Sequence, residues 1–297
     1  MYKRQPLIEG LEFEDDNLSP EVAINYYINE DTSIYVAYKK AFKSGGIDNS
    51  ALPTASINPL SPTFEGFDAL IYDSEEVDGF EIGLKSNLLD NNMRLNATYY
   101  KYEYTNLQVQ LFDAAIIQFS TFNAGAVETE GFEADLLWYT DIPGLSLRGQ
   151  FAWTDATNTG DFITPGGENL KGSKRSYSPE IAGSLGLSYD SGLSNGWRYN
   201  ISTDARYSDE YGWGTYIDSP MQDSFWINDV ALSLYSEDGK HSFNLIGRNL
   251  GDEIVIITGG AIPGRISTQT GTSALIQDQA VTTQQGKTFT LQYKYKM

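Results

Sequence analysis

The sequence predicts an all-β chain: an antiparallel, up-and-down sheet of about eleven strands that forms the wall of a transmembrane β-barrel. Three observations predict it. Apolar and polar residues alternate along run after run, the period-two mark of a strand with two unlike faces, and helical periodicity is nearly absent. The runs come in pairs, with short turns inside each pair and long connections between pairs. Leu, Ile, Val, Ala and Gly fill the strand middles, whereas the large rings gather near the strand ends.

The first pair is PEVAINYYI (20–28) and TSIYVAYKKAF (32–42), joined by Asn29, Glu30 and Asp31. The second is EEVDGFEIGLKSNL (75–88) and MRLNATYYKYEYTNLQVQLF (93–112), joined by Leu89, Asp90, Asn91 and Asn92. The run 93–112 reads as one strand long enough to cross a bilayer at a tilt and project beyond it. The third pair lies in VETEGFEADLLWYTDIPGLSLRGQFAWTDA (127–156) and turns around Asp141, Ile142, Pro143 and Gly144. The fourth is YSPEIAGSLGLSYD (177–190) and WRYNISTDARYSDEYGW (197–213). The fifth is DSFWINDVALSLYS (223–236) and HSFNLIGRNLGDEIVII (241–257), joined by Glu237, Asp238, Gly239 and Lys240. GKTFTLQYKYKM (286–297) is a last strand. The long connections are 43–74, 113–122, 158–176, 214–222 and 258–285, all expected as loops on one rim.

The two faces differ sharply. In the third pair Phe132, Ala134, Leu136 and Trp138, with Leu145, Leu147, Phe151 and Trp153, oppose Glu133, Asp135, Ser146, Arg148, Gln150 and Thr154. A soluble sandwich and a membrane barrel both satisfy such alternation. Ring position separates them. Trp138 with Tyr139, Trp153, Trp197 with Tyr199, Tyr207, Tyr211 with Trp213, and Trp226 lie near strand ends. Two rims of rings suit the headgroup belts of a bilayer, whereas a sandwich places its largest rings at the core centre. The polar face is therefore expected to border an enclosed aqueous lumen, and the apolar face to meet lipid.

Composition agrees. No run of about 18 apolar residues is present, so no membrane-spanning helix is expected, but a barrel strand needs only about 9–11 residues with every second one apolar. Forty acids against 20 bases leave a net charge of −20, which argues against a nucleic-acid partner. The absence of cysteine removes disulfide scaffolds, thiolate metal sites and cysteine nucleophiles. The first 20 residues lack the apolar core of a signal peptide, so the chain is expected either not to be exported as it stands or to lack its true N-terminus.

No catalytic constellation, cofactor site or metal site is legible. His241 is the only histidine, follows a turn and is expected to be solvated. The pairs Glu75-Glu76 and Asp209-Glu210 sit at strand ends and read as solvated acids. TPGGENLKGSKRS (164–176) has glycines and bases but not the spacing of a phosphate loop, and reads as an outside loop. Lys43 with Gly45 and Gly46 opens another.

Three stretches resemble the TonB-dependent outer-membrane receptors: IYVAYKKAFKSGG (34–46), NAGAVETEGFEADL (123–136) and FNLIGRNLGDE (243–253). Their order and spacing, followed by a final strand, match the last half of that family's barrel, and the resemblance covers nearly the whole chain. It implies a 22-stranded barrel with an N-terminal plug in the Gram-negative outer membrane. Such receptors take up siderophore-iron, haem, cobalamin or sugars, energised through the inner-membrane TonB complex, and are not enzymes. Residues 1–297 would then be the C-terminal part of the barrel, without the plug or the first half of the barrel. The implied partners are outer-membrane lipid, the TonB complex by way of the plug, the barrel assembly machinery and a small-molecule ligand.

Gly286, Phe289, Leu291, Tyr293 and Tyr295 have the form of the family's assembly signal, although the chain ends in Met297 where Phe or Trp is usual. Substrate contacts in such receptors come from outside loops and plug. That nominates Tyr72, Tyr211, Trp213 and Tyr216 as exposed loop aromatics, with interface anchoring as the alternative role. About eleven strands cannot close such a barrel alone, because each lipid-exposed edge leaves backbone groups unpaired at several kcal/mol apiece. A passive porin-like channel and a soluble β-rich carbohydrate-binding module are the competing expectations.

Overall fold

The computed structural model describes residues 13–48, 70–113, 118–164, 167–213, 221–266 and 277–296. In chain order its strands begin with β1 (Glu21–Tyr27), β2 (Thr32–Lys43), β3 (Gly46–Ile47), β4 (Ile71–Tyr72), β5 (Glu75–Leu88) and β6 (Met93–Thr105). There follow β7 (Gln108–Asp113), β8 (Gln118–Asn123), β9 (Val127–Tyr139), β10 (Leu145–Asn158), β11 (Ile181–Gly192) and β12 (Arg198–Ser208). The last are β13 (Tyr211–Gly212), β14 (Met221–Gln222), β15 (Phe225–Tyr235), β16 (His241–Arg248), β17 (Ile256–Ile266), β18 (Gln277–Thr283) and β19 (Thr288–Tyr295). The described residues hold no α-helix.

Eleven strands form one antiparallel sheet in the order β1-β2-β5-β6-β9-β10-β11-β12-β15-β16-β19, each beside its predecessor in the chain path. This is the predicted up-and-down wall, with the predicted strand number. It is open: β1 and β19 each pair on one side only among the described residues, and side chains along both are exposed almost throughout. The register climbs as it crosses the sheet. One row of partners runs Ile34, Leu84, Ala97, Ala134, Phe151, Gly183, Tyr207, Trp226. It begins near the turn end of β2 and finishes at the loop end of β15, the stagger that strand tilt imposes on a barrel wall.

Turns follow from residue type. Leu89, Asp90 and Asn91 all take positive φ (52, 53 and 67°), two of the three being the residue types that tolerate it best. Gly144 has φ +83°, and a Cβ there would press on the Asp190 carbonyl oxygen, which lies on the neighbouring hairpin. Gly144→Ala is therefore expected to cost about 1–2 kcal/mol from the left-handed conformation alone, with the clash added. The check is a lowered urea midpoint of the chain folded in lipid vesicles.

Two sequence expectations change. The run 93–112 is not one strand: Asn106 takes φ +52°, and the chain leaves the wall there to form β7. Four connections expected as plain loops, 43–74, 113–122, 214–222 and 258–285, carry strands of their own, and β3-β4, β7-β8, β13-β14 and β17-β18 form small two-stranded sheets beyond the wall. Polar residues in those runs pair backbone to backbone, which the alternation rule reads poorly when a run is short.

Side-chain sidedness holds across the wall. One face carries Ile24, Val36, Ile82, Leu185, Leu187, Ile201, Val230, Leu232, Leu245 and Leu291, all at least 38% exposed. No second layer covers this face among the described residues, so the soluble sandwich loses the core it requires. Rings edge the band on both rims. Tyr38, Phe80, Tyr99, Phe132, Trp153, Tyr207 and Trp226 mark the loop side, with Tyr207 and Trp226 packed at 5.0 Å between ring centres. Trp138, Tyr189, Tyr199, Trp197, Tyr293 and Tyr295 mark the turn side, and Trp197 stacks on Phe243 at 6.3 Å. From Leu145 to Trp153 on β10 the band spans nine residues, the reach of one bilayer crossing. Tyr211 and Trp213, expected in the rim, lie outside it: both sit beyond the end of β12, and Trp213 is only 5% exposed.

Just beyond the loop-side rings the same face turns charged. Lys40 pairs with Glu76 at 2.7 Å, Lys101 with Glu128 at 2.9 Å, and Lys174 with Glu180 and Asp155 at 2.7 and 2.9 Å. The apolar band thus has a definite upper limit, and 13- and 14-residue strands such as β5, β6, β9 and β10 continue past it into water.

Candidate functional site

The opposite face of the wall is polar. Arg148 bonds Asp204 at 3.1 Å, Arg206 lies 3.6 Å from Asp204 and bonds Asp229 at 2.9 Å, and the Asn249 backbone N–H donates to the other Asp229 oxygen at 2.8 Å. This ladder crosses from β10 to the end of β16 and ties four strands on the lumen side. Lys39 bonds Glu81 at 3.0 Å, and the Tyr102 hydroxyl donates to the same carboxylate at 2.6 Å. The Asn96 amide donates to Asp135 at 3.0 Å, and Arg198 pairs with Asp190. Two hollows open on this face. One of about 540 Å³ lies among Asn96, Glu133, Asp135, Gln150, Ser184 and Arg206. Another of about 250 Å³ lies among Arg148, Asp204, Arg206, Asp229 and Arg248. Both are lined by groups that can exchange partners with water or a polar solute, and neither resembles a catalytic pocket.

Above the wall, part of the described loop side has a small core of its own. Ala124, Phe162 and Leu170 form a buried cluster with Leu107, Val109 and Phe122 packed against it. Phe122 and Phe162 meet at 6.1 Å. Gly125 and Gly160 allow the two segments to cross: a Cβ on either would strike the other's backbone. Asn169 holds the 158–174 segment closed, accepting from the Phe162 and Lys171 backbone N–H groups at 3.2 and 3.1 Å.

This segment carries three bases with different fates. Lys171 is exposed, 3.8 Å from Asp161. Lys174 lies on the apolar-face side of the wall, above the ring row, between Asp155 and Glu180. Burial pulls its pKa down, but the hydrogen bonds to Glu180 and Asp155 outweigh that and hold it above the usual lysine value. Arg175 points the other way, into the lumen, where its guanidinium donates to Asn158 Oδ1 at 3.1 Å. Burial lowers its pKa, and the field of Glu75 only partly opposes this. Below it, Tyr100, Tyr102 and Tyr104 stand at alternate positions of β6 on the lumen face. The rings of Tyr100 and Tyr102 lie 6.2 Å apart, and the Tyr100 hydroxyl meets Thr154 Oγ1 at 3.2 Å. Gly131 lies under Tyr100, where a Cβ would sit 2.5 Å from its hydroxyl.

The nominated loop aromatics do not come together. Tyr72 is partly buried in β4, with its ring over Gly46. Tyr211 is partly buried, donates to the Ile256 carbonyl at 3.2 Å and lies 6.0 Å from the Tyr177 ring. Trp213 is not an exposed aromatic at all: its ring covers Gly259 and its Nε1 is buried without a partner. Tyr216 lies outside the described residues. Tyr72 belongs to the β2–β5 end of the rim and the other two to the β12–β15 end, so no shared pocket joins them. The tyrosine column and Arg175 were missed. YYKYEY (99–104) places its tyrosines 100, 102 and 104 on the polar face by simple alternation, a signal the sequence did contain.

His241 is not freely solvated: its Nδ1 lies 2.8 Å from the Tyr293 hydroxyl and its ring 5.1 Å from that of Tyr295. Glu75 and Glu76 fall on opposite faces, Glu75 accepting the Gln108 backbone N–H at 2.8 Å and Glu76 pairing with Lys40. Asp209 caps its own strand end, accepting from Tyr207 and from the Glu210 backbone. Lys43 enters only through its carbonyl, which accepts from Gln108 at 3.3 Å. Phe289, Leu291, Tyr293 and Tyr295 project from the lipid-facing side of β19, each more than half exposed, while Gly286 lies close to the Asp252 carboxylate.

The chain matches the family model described as TonB dependent receptor-like, beta-barrel, over residues 5–250. No curated relative matches it in sequence. Its fold is similar to that of the ferric yersiniabactin uptake receptor of Yersinia pestis, with TM-score 0.68 and 14% identity, over 93% of this chain and 36% of that one. It is similar also to the siderophore receptor PiuA of Acinetobacter baumannii, with TM-score 0.67 and 20% identity, over 93% and 35% of the two chains. The closed form of the ferric-catecholate import receptor of E. coli K12 matches with TM-score 0.63 and 20% identity, over 93% and 34%. The chain therefore spans about a third of the length of these receptors.

Proposed function

The chain belongs to the TonB-dependent receptor family, in its β-barrel domain, and on that premise we propose that it forms the C-terminal part of the barrel wall and outer surface of an outer-membrane receptor for active uptake. The observation that carries this reading is the sidedness of the sheet: an uncovered apolar band between two rows of rings on one face, and a charged, hollowed surface on the other. Lipid against the first and a wet lumen behind the second satisfy both. No chemistry is assigned to the chain; its part is to line a conduit and to help recognise the cargo.

Eleven successive antiparallel strands make β1 and β19 run in the same direction. Closing the barrel by antiparallel pairs then requires a further odd number of strands, which we assign to an N-terminal half of the receptor together with the plug that couples to TonB. The names of the similar receptors favour a ferric siderophore as cargo. Haem, cobalamin and carbohydrate are the other ligands of the class. A passive channel would share the wall but not the energy coupling.

Two measurements test this. Residues 1–297 contain no cysteine, so single cysteines report cleanly. In the complete receptor folded into vesicles, with any cysteine outside these residues replaced, Ser184→Cys should react with a water-soluble maleimide and Leu185→Cys should react only with a lipid-soluble one. Equal labelling by the aqueous reagent would refute the lumen and lipid assignment. In cells carrying the complete receptor gene, uptake of a labelled ferric siderophore should saturate and should stop when TonB is deleted. Unsaturable flux independent of TonB would instead mark a passive pore.

A further inference from the structure

We infer that Arg175 is the oxyanion-recognising group of the outer mouth, receiving a carboxylate or phosphate of the incoming ligand; the inference rests on the receptor reading above. Of the three bases in the 164–176 segment, Lys171 and Lys174 are answered by Asp161, Asp155 and Glu180. Arg175 is not. No ion pair among the described residues involves it, and its one side-chain bond is to the neutral amide oxygen of Asn158. The carboxylate whose field reaches it, Glu75, is committed to the Gln108 backbone N–H.

A guanidinium carries five N–H donors, and only one is used here. A half-buried guanidinium that makes no ion pair, its burial only partly offset by the field of Glu75, is an expensive arrangement, and a bidentate oxyanion is the partner whose geometry relieves it. The backbone sets the direction. Arg175 N–H donates to the Ala156 carbonyl at 2.8 Å, and Lys174 bridges Thr157 on the lipid-facing side, so the next side chain turns to the lumen. Tyr104 lies within the field of the same Glu75, and no side-chain hydrogen bond among the described residues engages its hydroxyl. A donor and a cation therefore flank one small region at the top of the tyrosine column. In a protein of net charge −20, a guanidinium with donors to spare gives an anionic group a local attraction against the overall charge.

The test is isothermal titration of the complete receptor, purified in detergent, with citrate, with ferric citrate and with inorganic phosphate. Arg175→Gln should weaken binding about tenfold or more, the loss expected of a charge-assisted hydrogen bond. Arg175→Lys, which keeps the charge but not the planar fork, should fall between. Lys171→Gln and Lys174→Gln should change affinity by less than about twofold, as surface pairs do. Loss confined to citrate and its ferric complex assigns a carboxylate, and loss confined to phosphate assigns a phosphate. Equal losses for all three bases would mean diffuse attraction and overturn the inference, as would unchanged affinity in both Arg175 variants or no binding to the unaltered chain. If the cysteine pattern holds while Arg175→Gln binds normally, only the role of Arg175 falls and the receptor wall stands.

Discussion

In the complete receptor, Leu185→Arg should largely abolish folding into lipid bilayers, while Gln150→Arg should leave it nearly unchanged. Leu185 sits midway between the two ring rows, beside Gly149 on β10 and Ala205 on β12, and is 52% exposed on the apolar face. A guanidinium at that depth on a lipid-facing strand costs about 2–4 kcal/mol, a large fraction of a marginal stability. Gln150 lies on the adjacent strand but the other face, opposite Asp135, where an added cation gains a carboxylate. Refolding into vesicles, followed by protease protection and urea unfolding, reads both variants. A soluble sandwich would bury Leu185 in its core and also suffer from the arginine, but it would fold without lipid, so the dependence of the unaltered protein on vesicles is read alongside. Comparable yields for the two variants would remove the sidedness on which the membrane assignment rests.

Asn249→Ala should lower stability by about 2–4 kcal/mol, the largest effect expected of any residue outside the wall. Asn249 is 5% exposed, at the point where β16 leaves the sheet. Its Nδ2 donates to the Glu253 carbonyl at 2.8 Å and its Oδ1 accepts the Glu253 N–H at 2.9 Å, so one side chain closes the Asn249–Glu253 bend from both sides. Its φ of +48° suits asparagine and strains alanine. Its backbone N–H binds Asp229, the terminus of the Arg148–Asp204–Arg206 ladder, and Asp252 Oδ1 receives the Lys287 N–H at 2.8 Å at the entry to β19. Removing the amide orphans two backbone groups of the partly buried Glu253, between β16 and β19. Asn249→Asp, which keeps the acceptor and loses the donor, should lie between. An unaltered urea midpoint in the alanine variant would show that the bend is held elsewhere.

Much of the wall was readable from residue order. Alternation located β5 to the residue and the starts of the other wall strands within a few, because each strand has one apolar and one polar face; it ran β6, β12 and β16 five to nine residues too far, β16 ending at Arg248 rather than at 257. It failed where runs were short or broken. Asn106 ends β6 through a backbone angle that alternation does not encode, and the polar run 118–123 pairs through its backbone. The functional surface was less legible. Ring chemistry nominated Tyr72, Tyr211 and Trp213, but exposure depends on what a loop folds against, and Gly259 covers Trp213 from a distant part of the chain. The tyrosines of β6 went unnoticed because they read as ordinary strand residues until the lumen gave their face a meaning.

By itself the sequence determined that the chain is a sheet of hairpins with one oily and one polar side, since side-chain period is a local property of an extended backbone. It also determined which rim carries short turns and which carries long connections. Only the tertiary structure decided that the oily side is left uncovered, that Arg175 makes no ion pair while Lys174 beside it makes two, and that Asn249 closes the bend after β16 and ties it to Asp229 on β15. Those outcomes depend on register summed across eleven strands, and register is fixed by contacts between residues far apart in the chain.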